Sequence, residues 1–117
     1  MTDRRPKLLF DAISAVAPAR SFLTGIALAE YESDLLRRSA TERQLEILGE
    51  ACARLAREDD ALFRRVPQAR TAVGMRNRII HGYDAVDDET VFRTVVDDLP
   101  SLESALRAWL AEFGTAP

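Results

Sequence analysis

Apolar positions recur along this chain at helical intervals, and no stretch alternates apolar and polar residues as a half-buried strand does. Leu8, Leu9, Ile13, Val16 and Phe22, with Asp11 and Ser14 between them, predict a first helix over about 5–24. Pro18 lies inside it, and a mid-helix proline removes one backbone hydrogen bond, so a kink or interruption is expected there, with Gly25 as the terminator. Residues 26–34 read as a connector with a short helical turn that anchors Tyr31. From about Asp34 to Arg57 the stripe Leu45, Leu48, Cys52 and Leu55, widened by Ile47 and Ala51, makes the clearest helix of the chain. Asp59-Asp60 and Val66-Pro67 bracket a short connection. A third long helix should begin near Gln68 and run to about His81, with Gly82 as its natural stop. Asp87-Asp88-Glu89 then supplies N-terminal acids to a fourth, over about 88–113, which carries Val91, Val95, Leu99, Leu102, Leu106, Trp109 and Phe113 on one face and should bend at Pro100. Four such stripes joined by short connections specify an all-α antiparallel bundle of four to five helices.

Length and composition narrow this picture. A chain of 117 residues is expected to form one domain, 1–117, and needs no disulfide or metal to hold it. Hydrophobic residues at 47% and only five Gly and five Pro exclude a disordered chain. The single cysteine, Cys52, has no internal partner and sits on a core stripe, which makes it a structural thiol and not a nucleophile. No apolar run approaches the roughly 18 residues of a membrane span, and the N-terminus has no signal-peptide core, so the expected compartment is the cytoplasm. One histidine, one core cysteine and no HExxH or CxxC spacing give no transition-metal site, and no Gly-rich phosphate loop is present, so no cofactor is expected. Asp84, Asp87 and Asp88 could in principle bind Mg²⁺ but are more simply read as the acids of a helix start.

A net charge of −3 argues against a generally adhesive nucleic-acid binder. The distribution is more informative. Between Ala61 and Tyr83 there is no acidic residue, while Arg64, Arg65, Arg70, Arg76 and Arg78 accumulate; Asp84, Asp87, Asp88 and Glu89 follow at once. Either these are solvated arginines or they form a local basic patch, in which Arg70 and Arg78 are the candidate RNA contacts.

At the far end of that stretch, Arg76-Asn77-Arg78-Ile79-Ile80-His81-Gly82-Tyr83 places a guanidinium, the only imidazole and a phenol within eight residues. An imidazole can take or give a proton near neutrality, and a permanently charged guanidinium can grip phosphate oxygens. In metal-independent RNA cleavage a base removes the 2′-hydroxyl proton, the 2′-oxygen attacks phosphorus, and charge on the phosphoryl oxygens must be stabilised. His81 suits the first task and Arg76 the second, and dependence on the 2′-hydroxyl would select RNA over DNA. The position at a helix C-terminus, where the dipole favours a cation, is compatible with this chemistry. Geometry sets a condition, however: at about 100° per residue Arg76 and His81 lie roughly 140° apart on one helix, while Asn77 and His81 share a face. Bringing the pair together requires a break at Gly82 or a two-fold dimer that sets two such helices across a cleft. By spacing alone, three residues of these types at a helix end serve structure more often than chemistry.

The wider context changes that weighting. Arg43-Gln44-Leu45-Glu46-Ile47-Leu48-Gly49-Glu50-Ala51, then Val73-Gly74-Met75-Arg76-Asn77-Arg78-Ile79-Ile80-His81-Gly82-Tyr83 with Val86-Asp87, then Val96-Asp97-Asp98-Leu99-Pro100 resemble, in order and spacing, the HepT-like toxins of the HEPN superfamily, over roughly 7–113. The resemblance implies an all-α HEPN bundle, a homodimer, and a metal-independent endoribonuclease toxin that cuts cellular RNA, tRNA or mRNA, at the dimer cleft. Its R-x4-H-x-Y motif reads here as Arg76, His81 and Tyr83, with Arg76 and His81 as the catalytic pair. It further implies that Tyr83 accepts AMP from a partner antitoxin, a minimal nucleotidyltransferase of the MntA type, which would silence the toxin by placing anionic bulk two residues from His81. Asn77 is expected to help order the motif near His81. Pro18 and the acids after Tyr83 bear on the shape of the RNA groove and leave the motif intact. The alternative is a non-catalytic HEPN interaction module that binds a nucleotidyltransferase partner.

Overall fold

Each apolar stripe becomes a helix, and the stripes close on one another around a shared core. The computed structural model describes residues 2–82 and 86–114. It runs α1 (Arg5–Leu23), α2 (Leu28–Glu32), α3 (Leu35–Glu58), α4 (Asp60–Phe63), α5 (Pro67–His81), α6 (Asp88–Arg93), a π-helical turn (Thr94–Asp98) and α7 (Leu99–Ala111). The chain is all-α, with no strand among the described residues. α1, α3, α5 and the α6–α7 segment are the long members of the bundle, and α2 and α4 are short corners between them.

Local chemistry sets the starts. Asp34 accepts the backbone N–H of Arg37 at 3.0 Å and caps α3. Asp59 does the same for Leu62 at 3.0 Å and opens α4. Asp87 accepts from the N–H of Glu89 and the hydroxyl of Thr90 at the head of α6. Such caps satisfy backbone donors that a helix start leaves without partners. Pro67 occupies the first position of α5, where its missing N–H costs nothing. After α1 the chain turns through Gly25, whose φ of 72° only glycine adopts readily.

Two prolines behave differently from expectation. α1 runs through Pro18 as one helix to Leu23. The carbonyl deprived of its donor is that of Ser14, four residues back, on the solvent side where water can replace the bond. At Pro100 the fourth helix does lose regularity, but in the turn before the proline. Thr94–Asp98 widens into a π-turn, and Pro100 itself sits at the start of α7. The proline ring would press on the carbonyl of Val96, and the wider turn relieves that contact.

α3 is the central member, packing against α1 on one side and α5 on the other, while α7 lies on α1. Leu9 and Val16 of α1, Leu45, Leu48 and Leu55 of α3, and Val91, Val95, Leu99, Leu102 and Leu106 of the last segment are all essentially inaccessible to solvent. Burial of each such side chain stabilises the fold by about 1.5–3 kcal/mol. Tyr31 of α2 is fully buried against Phe92, and the two ring centroids are 5.8 Å apart. No helix is long and apolar enough to cross a membrane among the described residues.

Candidate functional site

α5 carries the motif, and its position is set by close packing against α3. Ala69, Ala72, Met75 and Ile79 form its buried stripe. Opposite them on α3 stands Gly49, and there the two helices come unusually near. A Cβ built on Gly49 would lie 2.2 Å from Arg76 Cβ and 2.8 Å from the Ala72 carbonyl oxygen, so no larger residue fits without moving a helix. The missing side chain is the space that the Arg76 stem occupies.

From that seat the Arg76 guanidinium reaches two partners. Its Nη1 donates to Asn77 Oδ1 at 2.9 Å. Its Nη2 lies 2.8 Å from Glu50 Oε2, in an ion pair whose side chains are 27% and 37% exposed. Glu50 uses its other oxygen to accept from Arg54 Nε at 2.9 Å. These two arginines, Arg54 through its hydrogen bond foremost, hold the Glu50 carboxyl below the usual glutamate range. In the sequence Glu50 and Gly49 stand out only as members of the 43–51 block that carries the family resemblance. Their use depends on contact between helices distant in the chain, which one-helix periodicity does not show.

Arg76 opens into a groove of about 600 Å³ between α1, α3 and α5. Phe10, Ile47 and Ile80 supply its apolar lining, and Arg43, Arg54 and Arg76 alternate there with Asp11, Glu46 and Glu50. Phe10 and Ile80 are 59% and 38% exposed and share this one groove.

His81 is the last residue of α5 and is exposed. It lines a separate shallow depression with Asn77, Arg78 and Gly82. Arg76 and His81 therefore open into different hollows of one chain, and Asn77, bonded to the first and lining the hollow of the second, stands between them. Gly82 caps α5 through its N–H to the Arg78 carbonyl at 3.0 Å, with φ −143°, and the helix reaches His81 without a break that would swing the imidazole toward Arg76. Tyr83 and Asp84 lie outside the described residues.

The arginine-rich stretch separates into paired and open members. Arg64 pairs with Asp60 at 2.9 Å and Arg65 with Glu112 at 3.1 Å. Arg78 shares the hollow of His81. Arg70 lies about 12 Å further back along the helix axis, beside Phe63, Arg64, Val66 and Pro67. Of the acids after the motif, Asp87 is the α6 cap and Asp88 pairs with Arg38 at 3.2 Å. Among the described residues no cluster of three His, Cys, Asp or Glu side chains could hold a metal ion. Cys52 is inaccessible on α3, and burial pushes its thiol up to about 12, which disfavours the reactive thiolate.

Comparison with known proteins places these residues in a family context. The family model for HepT-like ribonucleases matches residues 12–109. A probable ribonuclease HepT of Thermococcus cleftensis is 32% identical over 95 residues, covering 81% of this chain and 86% of that protein. A putative RNase of Caldanaerobacter subterraneus subsp. tengcongensis is 32% identical over 83 residues, 71% of this chain and 73% of its own length. A putative RNase of Methanocaldococcus jannaschii is 30% identical over 95 residues, with 81% and 86% covered. No solved structure matches the chain.

Proposed function

The chain belongs to the HepT-like ribonuclease family, and from that premise we propose that it is a metal-independent endoribonuclease toxin, acting in the cytoplasm as a homodimer of one-domain subunits, with Arg76 and His81 as its catalytic pair. The observation that carries this reading is the division of the pair between two neighbouring hollows on α5. One chain offers a phosphate-gripping arginine and a proton-transferring histidine on different faces. A second copy related by a two-fold axis would let the arginine of one subunit serve with the histidine of the other. Exposed Phe10 and Ile80 at the rim of the Arg76 groove supply apolar surface for such a contact.

In that cleft His81 removes the 2′-hydroxyl proton of a bound RNA, the 2′-oxygen attacks the adjacent phosphorus, and Arg76 stabilises the charge that develops on the phosphoryl oxygens. The imidazolium so formed, or water, then supplies a proton to the departing 5′-oxygen, which balances the step. Arg78 in the His81 hollow, and Arg70 further along α5, would contact the RNA backbone. Tyr83 is proposed as the AMP acceptor for a partner antitoxin of the minimal nucleotidyltransferase, MntA type. Its support is the motif spacing R-x4-H-x-Y and the physics of an added phosphodiester, which would repel an RNA backbone two residues from His81.

Expression in a bacterial host tests the reading. Wild type should arrest growth, and His81→Ala should abolish the arrest while keeping fold and dimer. A wild type as harmless as His81→Ala would favour a non-catalytic module that binds the nucleotidyltransferase, a role compatible with the existing engagement of Arg76 by Glu50 and Asn77.

A further inference from the structure

We propose that Glu50 is the positioning residue of Arg76: together with Asn77 it fixes the direction in which the guanidinium meets a phosphate, and Arg54 in turn holds Glu50. This rests on the ribonuclease reading above and adds to it a residue outside the R-x4-H-x-Y motif.

Three contacts make the arrangement. The Arg76 stem lies over Gly49, where a Cβ would meet it at 2.2 Å, so the first part of the side chain has one available path. At its end Nη2 is 2.8 Å from Glu50 Oε2 and Nη1 donates to Asn77 Oδ1 at 2.9 Å. One hydrogen bond to Asn77 on α5 and one ion-pair contact to Glu50 on α3 thus meet the guanidinium from two helices. Glu50 cannot swing freely either, because Arg54 Nε donates to its other oxygen at 2.9 Å.

A carboxylate beside a phosphate-binding arginine repels the substrate, so its presence in the groove needs an offsetting benefit. Two arginines share one carboxylate here, which leaves the trio itself with a net positive charge inside a groove whose three arginines and three acids otherwise balance. The benefit is orientation. Arginine owes its value at phosphates to a planar fork with directional donors, and a fork held in place loses less freedom when phosphate binds. The remaining N–H groups of Arg76 have no acceptor among the described residues, so they are available to phosphoryl oxygens.

Positioning and charge predict opposite effects, which allows a test. If Glu50 acted through charge alone, its removal would make the groove more positive and cleavage faster. If it positions Arg76, Glu50→Ala lowers kcat about tenfold or more, since small misplacement at a reacting centre is costly, while KM for an RNA oligonucleotide stays level or falls. Glu50→Gln keeps an acceptor of the same shape and should restore most of the kcat. The heteronuclear NOE of the Arg76 Nε–H group, assigned by its loss in Arg76→Lys, reads the holding without any cleavage. It should report an ordered group in wild type and Glu50→Gln and a mobile one in Glu50→Ala. If Glu50→Ala fails to fold, Arg54→Ala leaves Glu50 in place but unanchored and should lower kcat in the same direction. An Arg76 Nε–H as ordered in Glu50→Ala as in wild type, or a kcat unchanged in whichever of Glu50→Ala and Arg54→Ala folds, would overturn the proposal. Intact RNA with wild-type protein would instead sink the ribonuclease reading, and the NOE comparison would still decide whether Glu50 holds Arg76.

Discussion

Arg76 owes its position to an atom that is missing, the Cβ of Gly49. Periodicity along one helix carries no information about which neighbour comes close, so nothing in the sequence around Gly49 marks that approach. The motif residues were legible for the opposite reason, since Arg76, Asn77 and His81 are local in sequence and their angular relation follows from one helix. α5 has its own glycine for comparison. A Cβ at Gly74 would meet nothing within 4 Å. Gly74→Ala should therefore stabilise the protein by about 0.5–1 kcal/mol, from the backbone entropy that glycine loses in a helix. Gly49→Ala should instead destabilise it by about 1–3 kcal/mol, the usual cost of overpacking, and should reduce RNA cleavage by displacing Arg76. Urea titrations of the two variants beside wild type measure both effects; similar shifts of one sign would show that α3 and α5 do not approach as closely as described.

At the scale of elements, the long helices were readable from apolar spacing, and two of their starts from Asp34 and Asp87, whose caps are local chemistry; the short α4 after the Asp59 cap was read only as a connection, because four residues are too few to show a period. What could not be read was how the two inner prolines resolve, because the answer depends on which carbonyl each one faces. Pro18 withdraws a donor from a solvent-side carbonyl and α1 continues, whereas Pro100 is accommodated by a π-turn one step earlier. The caps also set a pH dependence. Asp59 is held below the usual aspartate range, first by the N–H of Leu62 and then by Arg5, whose Nη1 lies 2.7 Å from its Oδ2. Asp34 is depressed by its cap to Arg37, and Glu103 by its hydrogen bonds to Arg20 and Arg107. A carboxyl with a lowered folded pKa contributes stability that is complete above its unfolded value, about 4, and is lost as pH falls through the folded value. The melting temperature should thus hold from neutrality to about pH 5 and decline below about pH 4. Asp59→Asn should remove part of that decline, and a variant melting curve that tracks wild type across this range would show that Asp59 contributes nothing to it.

For the whole molecule, the proposed function makes one chain an incomplete active site. Arg76 and His81 lie on one helix yet open into separate hollows, and the groove on the arginine side is edged by exposed Phe10 and Ile80. Sequence geometry already indicated the angular separation; the groove itself was not legible, because α1 contributes Phe10 from a position 66 residues away from Arg76. An apolar rim of this kind predicts that wild type elutes as a dimer in light-scattering chromatography and that Phe10→Glu elutes as a folded monomer without cleavage activity. A Phe10→Glu monomer that still cuts RNA would place the whole site in one chain. The most direct test mixes two inactive proteins. Arg76→Ala and His81→Ala are each incubated with total cellular RNA and purified tRNA in excess EDTA beside wild type, and then co-refolded so that mixed dimers form. Cleavage by wild type, none by either variant alone, and partial recovery in the mixture is the result predicted for a metal-independent cleft that draws Arg76 and His81 from different subunits. Cleavage that persists in His81→Ala, or that is absent from wild type, would contradict it.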